Sequence, residues 1–183
     1  MKSTILYRQN LIKEINKLKK CHWVNKDTFN GFLKLINTQK ILIKSEGVGI
    51  HICSFFLPVN KQTGSIYLVH HIKADDWIPP GGHIDKNELP INTVRREFKE
   101  ELDHQLTDEK IELFDLSIKK INRPHQNCLA HYDIWYLVYI EKLPFNFLRK
   151  EFYDAGWFDF NQGTKKIKLN LYRNIVKKLA FIL

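Results

Sequence analysis

Residues 82–101 read Gly82-His83-Ile84-Asp85-Lys86-Asn87-Glu88-Leu89-Pro90-Ile91-Asn92-Thr93-Val94-Arg95-Arg96-Glu97-Phe98-Lys99-Glu100-Glu101. Pro90 suits the first turn of a helix, where its missing N–H would lack an intrahelical partner anyway. A helix over about 89–104 follows. At ~100° per residue, Ile91, Val94, Phe98 and Leu102 gather on one arc, which should bury. Glu97, Glu100 and Glu101 fall on the adjacent arc with His104 close beside them, while Arg95, Lys99 and Asp103 face water. Crowding acids on one helix face costs like-charge repulsion. A hard divalent cation, which takes oxygen ligands, relieves it. The pair Arg96 and Glu100, at i,i+4 spacing, is also compatible with an ordinary solvated face. Gly81-Gly82 just upstream lets backbone come close to a ligand or metal.

The stretch resembles the Nudix box, the signature of the Nudix hydrolase family. That pattern is a glycine, five residues, glutamate, seven residues, then Arg-Glu, an apolar residue, any residue, Glu-Glu, any residue, glycine and an apolar residue. Gly82, Glu88, Arg96, Glu97, Phe98, Glu100 and Glu101 stand on its positions. The resemblance implies that Glu97, Glu100 and Glu101 bind Mg²⁺ (or Mn²⁺), joined by the Gly81 carbonyl. It also implies that Arg96 and Glu88 hold the acids in place. Which carboxylate serves as general base varies in the family and is left open. The implied activity is metal-dependent hydrolysis of a diphosphate linkage in a nucleoside-diphosphate-linked substrate, with a small-molecule nucleoside diphosphate derivative as partner. Rival readings are a nucleotide-binding or regulatory module and an RNA 5′-end pyrophosphohydrolase.

Two box positions depart. Asp103 stands for the last glycine and His104 for the final apolar residue. Glycine after a helix commonly takes the left-handed conformation that ends it, and Asp reaches that region at some cost. An altered helix exit is expected, with Leu106 supplying the missing packing.

Features outside the box extend the resemblance over about residues 45–162. Trp77-Ile78-Pro79-Pro80-Gly81-Gly82-His83-Ile84 is similar to the family's lead-in, and His131-Tyr132-Asp133 resembles the His-x-Asp segment of one bacterial subgroup. Glu151, six residues before Trp157-Phe158, resembles that subgroup's Glu-x5-Trp-Phe pattern. Trp77 is expected either to stack on a base or to plug a core edge. His83 belongs to the candidate substrate set. His131 and Asp133 share one face of a strand, as a ligand-facing pair or a hydrogen-bonded one. Glu151 either approaches the metals or is a loop charge. His70 and His71 point to opposite faces, so at most one serves a site. The histidines look too scattered in sequence for a zinc site of compact ligand spacing.

The rest of the chain frames this segment. Its 183 residues suggest one domain. The fold class expected is α/β, a Nudix-type α/β/α sandwich with a mixed central sheet. An N-terminal helical extension over 1–45 would pack on it, with helices over 5–20 and from Asp27, a candidate cap, to Ile36. Strands are expected at 48–58, 65–72, 111–121, 128–140 and 152–159, a loop at 74–82, and a last helix over 170–183. Substrate specificity is expected to sit in segments 1–45, 72–80 and 121–130. A formal charge of +9 favours anionic partners. That permits nucleic acid, but no dense basic run with interleaved aromatics marks a groove for it. Three cysteines lack CxxC spacing and disulfide density. With no apolar run for a membrane span and no secretory pattern at the start, a reducing cytoplasmic setting is expected.

Overall fold

The computed structural model describes residues 2–38, 49–121, 128–141 and 143–182. The expected specificity segments at 39–45 and 122–127 lie outside the described residues. Two N-terminal helices, α1 (Lys2–Asn16) and α2 (Lys26–Thr38), precede a strand pair, β1 (Ile50–Asn60) and β2 (Ser65–His71). Short strands β3 (Asp76–Ile78) and β4 (Gly81–His83) lead to α3 (Pro90–Leu102). Then come β5 (Lys110–Lys120), β6 (Ala130–Tyr139), β7 (Phe152–Asp159), α4 (Phe160–Lys166), α5 (Asn170–Lys177) and a 3₁₀ turn over Lys178–Phe181.

The sheet is mixed, as expected. Its path is β3-β2-β1-β6-β5, with β4 paired to β1 and β7 to β2. β1 and β6 run parallel from Ile50↔Ala130 to Val59↔Tyr139, and the other pairs are antiparallel. Strand alternation sends neighbouring side chains of β1 to opposite layers. On one face Phe56 stacks on Phe98 of α3 at 5.0 Å. On that same side Tyr132 meets Phe32 of α2, also at 5.0 Å, and the Tyr136 hydroxyl donates to Glu14 of α1 at 3.3 Å. On the other face Phe55 stacks on Trp135 at 4.9 Å, and both meet Tyr172 of α5. There Lys178 donates to the buried carboxylate of Asp115 at 2.6 Å. This is an α/β/α sandwich with the N-terminal helices built into one layer. No helix among the described residues is long and apolar enough to cross a membrane.

Several local expectations are corrected. Asn25, not Asp27, caps α2: its Oδ1 accepts the Thr28 N–H at 2.9 Å. The predicted loop at 74–82 contains β3 and β4, because β2 and β1 offer ladder partners there. α4 is a helix that periodicity does not announce, since seven residues give too few turns for a pattern. It is set from outside: Asp159 accepts the Gln162 N–H. A Cβ on Gly163 would lie 2.8 Å from the Ile66 side chain, so only glycine lets α4 sit this close to β2. The last helix yields to a 3₁₀ turn at Lys178.

Phe32 and Leu11 are fully buried in the core shared with the sheet. Phe32→Ala should therefore cost about 3–5 kcal/mol of global stability. It should lower the urea midpoint of a single transition; a separate early transition confined to the N-terminal helices would contradict this.

Candidate active site

Gly81 lies close against β1, and Gly82 against Glu97 of α3. Gly81 has φ of +141°, and a Cβ there would lie 2.4 Å from the Ser54 carbonyl oxygen. A Cβ on Gly82 would lie 2.1 Å from Oε1 of Glu97. Glycine is thus required at 81 by close approach to backbone, while a side chain at 82 would displace the Glu97 carboxylate. The Gly81 N–H donates to Oε2 of Glu101 at 2.8 Å, which ties the loop to the buried end of the acidic face.

Arg96 organises the remainder. Its Nε and Nη2 grip the two oxygens of Glu88, each at 3.0 Å, in the fork geometry that a guanidinium alone provides. Nη2 also donates to the His83 carbonyl at 3.0 Å, and Nη1 reaches Glu97 at 2.9 Å and Glu100 at 3.1 Å. Glu88 further accepts from the Asp85 N–H and the buried Thr93 hydroxyl. Burial alone would raise the Glu88 carboxyl, but these donors hold it below its ordinary value. Donating to Glu88 in turn raises the pKa of Arg96.

The acidic face divides by exposure. Glu100 has 56% of its side chain open to solvent, Glu97 only 12%. Glu101 is buried. Burial pushes Glu97 up to about 7, against the pull of Arg96 and with help from the charges of Glu100 and Glu151. Burial also pushes Glu101 well above the usual carboxylate range, reinforced by Glu97, although the Gly81 N–H opposes it. Glu151 therefore lies within the field of both acids. Its placement has a visible cause: the Leu148 N–H donates to the Glu101 carbonyl at 2.9 Å, and the Ile72 N–H to the Glu151 carbonyl at 2.8 Å. One guanidinium faces an excess of carboxylates, and all the side-chain donors are oxygens. That donor set suits Mg²⁺ or Mn²⁺.

The other predicted residues go elsewhere. Trp77 stacks on His70 at 5.2 Å, meets Phe158 edge-on and lies under the Lys166 ammonium, at the edge formed by β2, β3 and β7. His71 points the other way, against Phe152. Asp133 is fully buried and accepts from the Ser117 and Tyr172 hydroxyls. Burial raises its pKa to about 7. His131 shares the face of Asp133, as expected, but turns towards His51, His83 and Cys128. Gly82 is level with Ser54 and His83 with Cys53 on β1, so the His83 ring leaves the sheet opposite the carboxylates. His104 corrects an expectation: it pairs with Glu109 at 3.3 Å and packs on Phe98 and Phe145, away from the acidic cluster. Asp103 takes the left-handed conformation (φ 49°, ψ 34°) in place of glycine, and Leu106 is buried beyond it.

Sequence reasoning missed Thr93 and Asp85 as supports of Glu88. Thr93 lies one turn into α3 on the side of Glu88, so helical geometry offered a signal. The link from Leu148 to Glu101 had none.

The raised carboxyls make stability depend on pH. Glu97 moves from 4.5 to about 7. The stability that its protonated form contributes is complete below about pH 4.5 and lost as pH rises through about 7, with Glu101 acting in the same direction. In chelator, the wild-type Tm should fall more steeply between about pH 5 and about pH 8 than that of Glu101→Gln, whose amide stays neutral. Parallel curves by scanning fluorimetry would count against a titrating Glu101.

Comparison with known proteins identifies the fold and the family. The chain is 32% identical over 121 residues to the m7GpppN-mRNA hydrolase of Saccharomyces cerevisiae; the match takes in 64% of this chain but 11% of that protein's length. Among solved structures, the E. coli dihydroneopterin triphosphate pyrophosphohydrolase superposes with a TM-score of 0.64 at 13% identity, covering 79% of this chain and all of that one. A NUDIX family hydrolase from Clostridium perfringens gives 0.57 at 20% identity, over 73% of this chain and 98% of that one. A C. elegans Ap4A hydrolase gives 0.58 at 14%, over 72% and 94%. At such identities the structures speak for the fold. The NUDIX domain pattern itself matches residues 51–179, most of the chain and all of the carboxylate site, and the protein belongs to that family.

Proposed function

We propose that the protein is a metal-dependent hydrolase that cleaves a diphosphate linkage in a nucleoside-diphosphate-linked substrate. The observation that carries this reading is the set of carboxylates Glu97, Glu100 and Glu101, fixed by Arg96 and by the Gly81 N–H, with Glu151 in their field. Glu97, Glu100 and Glu101, with the Gly81 carbonyl, would hold Mg²⁺ or Mn²⁺. Bound there, the cation supplies charge neutralisation of the diphosphate oxygens and acidification of a water.

The protein's own groups do the positioning. Arg96 keeps Glu97 and Glu100 from splaying apart under mutual repulsion, and Glu88 keeps Arg96 from swinging out to solvent. The buried Glu97 and Glu101 are poised to give up protons when a cation arrives, so cation binding releases protons and weakens as pH falls. Glu100, the most exposed of the three, has the freest access to substrate. A carboxylate within reach of the attacking water takes its proton; Glu100 and Glu151 are the two candidates. The +9 charge favours approach of a polyanionic substrate.

Glu100→Gln should lower turnover by about 100-fold or more while leaving the Tm within a few degrees, since the side chain is half-exposed. Assay with Mg²⁺ against dinucleotide polyphosphates, nucleotide sugars and nucleoside triphosphates, reading phosphate and AMP, checks this. Near-wild-type turnover would remove Glu100 from the site. Arg96→Lys keeps the charge but cannot grip Glu88 with two parallel bonds, and should raise the Mg²⁺ concentration needed for half-maximal rate.

A second reading has its own support, the similarity to the yeast m7GpppN-mRNA hydrolase. It proposes the 5′ end of an RNA as substrate. Capped or 5′-triphosphate RNA should then be cleaved in preference to free nucleotides, with affinity falling steeply as salt rises. Equal rates on the free dinucleotide would favour the first reading.

A further inference from the structure

Behind the carboxylate site, across β4, lies a second cluster of metal-ligating side chains. His51 on β1, His83 on β4, His131 on β6 and Cys128 just before β6 place four ligand atoms within 4.8 Å of one another. Cys128 Sγ is 3.3 Å from His51 Nε2 and 3.4 Å from His131 Nε2. The three imidazole centroids are 4.6, 4.7 and 5.1 Å apart. The sheet explains the assembly: His51 faces His131 in the parallel register of β1 and β6, and His83 pairs with Cys53 two residues along β1.

We propose that these four residues form a zinc site of Cys-His₃ composition. The ligand chemistry separates it from the acidic cluster. Thiolate and imidazole select Zn²⁺ over Mg²⁺, which prefers oxygen. At zinc bond lengths, a tetrahedral centre holds neighbouring sulfur and nitrogen ligand atoms about 3.3–3.7 Å apart. The Cys128 contacts already match that edge. Asp133 supports the assignment. It lies two residues beyond His131 on the same face, with a carboxylate oxygen and a His131 ring nitrogen within 4.8 Å. Its Oδ2 takes the Ser117 and Tyr172 hydroxyls. Oδ1 is buried with no hydrogen-bond partner among the described residues. A carboxylate behind a ligating histidine is the usual means of fixing the imidazole's tautomer and orientation.

Four protein ligands close the coordination sphere, so the site is structural rather than catalytic. It clamps β1, β4 and the entry to β6. β4 carries Gly82, and the His83 carbonyl accepts from Arg96, so the ion would brace from behind the backbone on which the acidic cluster rests. Binding releases the thiol proton of Cys128 to solvent and leaves zinc as a dication. The proposal is independent of the reaction assigned to the carboxylates.

The purified 183-residue protein should contain about one zinc per chain by elemental analysis. After chelation, refilling with Co²⁺ should give a thiolate-to-cobalt charge-transfer band in the near ultraviolet. Cys128→Ser should lose that band and most of the zinc, whereas Glu100→Gln should keep both. If Cys128→Ser fails to fold, the wild-type cobalt spectrum decides alone. Absence of stoichiometric zinc and of the thiolate band in the wild-type protein would overturn the site. So would zinc that survives in Cys128→Ser but leaves with Glu100→Gln, since the ion would then sit among the carboxylates.

Discussion

A single guanidinium holds the acidic face together. Helix α3 places Glu97, Glu100 and Glu101 on one side, an arrangement that repels itself. Arg96 counters that repulsion with Nη1 shared between Glu97 and Glu100, while its other nitrogens are spoken for by Glu88 and the His83 carbonyl. Glu88 is in turn fixed by Thr93 and the Asp85 N–H. The chain of contacts runs from helix to loop and back to helix, so the acids stay aligned without a counter-ion for each. Charge-assisted, forked bonds of this kind carry both energy and direction. A lysine offers a point charge and no fork.

The second constraint is steric. Glu97 sits where any side chain on residue 82 would be, and Ser54 where any side chain on residue 81 would be. The acids are therefore aligned relative to β4, and β4 relative to the central strand β1. Because β1 is buried along nearly its whole length, both of its faces carry packed layers. The residues on the side of Phe56 pack against α3, while His51, Cys53 and Phe55 face the layer of α5. Alternation along one strand keeps the carboxylates and the imidazoles apart although they flank the same few residues of backbone.

Helices α1 and α2 complete the layer that carries α3. Trp23 donates to the Phe114 carbonyl at 2.9 Å, and Gly31 lies so close to Ile118 that a Cβ would meet it at 2.9 Å. They cover the far strands β5 and β6, leaving α3 to cover β1 near the acids. The segment after β6 closes the remaining side: Phe145 packs between Tyr67, Phe98 and Trp157. Leu148 then hooks onto the end of α3, and Glu151 is delivered to the site from outside the box.

The sequence by itself determined what spacing can encode. Residues 82–101 carry a helix, its buried arc, its acidic arc and the i,i+4 pair of Arg96 with Glu100, because positions a turn apart become neighbours whatever surrounds them. The longer strands were legible from their β-branched and aromatic content, whereas Asp103 keeps the left-handed stop although its place in a glycine's position argued for an altered helix exit. Tertiary structure alone decided what depends on strand register and on close approach between distant segments. β3 and β4 exist as strands because neighbours offer hydrogen bonds to a stretch that reads as loop, and α4 is placed by the space above Ile66. Trp77 was assigned to an edge, and His104 to Glu109, by packing that periodicity does not describe. The clearest case is the imidazole cluster. His51, His83 and His131 look scattered along the chain, and no local rule joins them. The parallel register of β1 with β6 and the short pairing of β4 bring them within ligand distance of Cys128, since sheet contacts ignore separation in sequence.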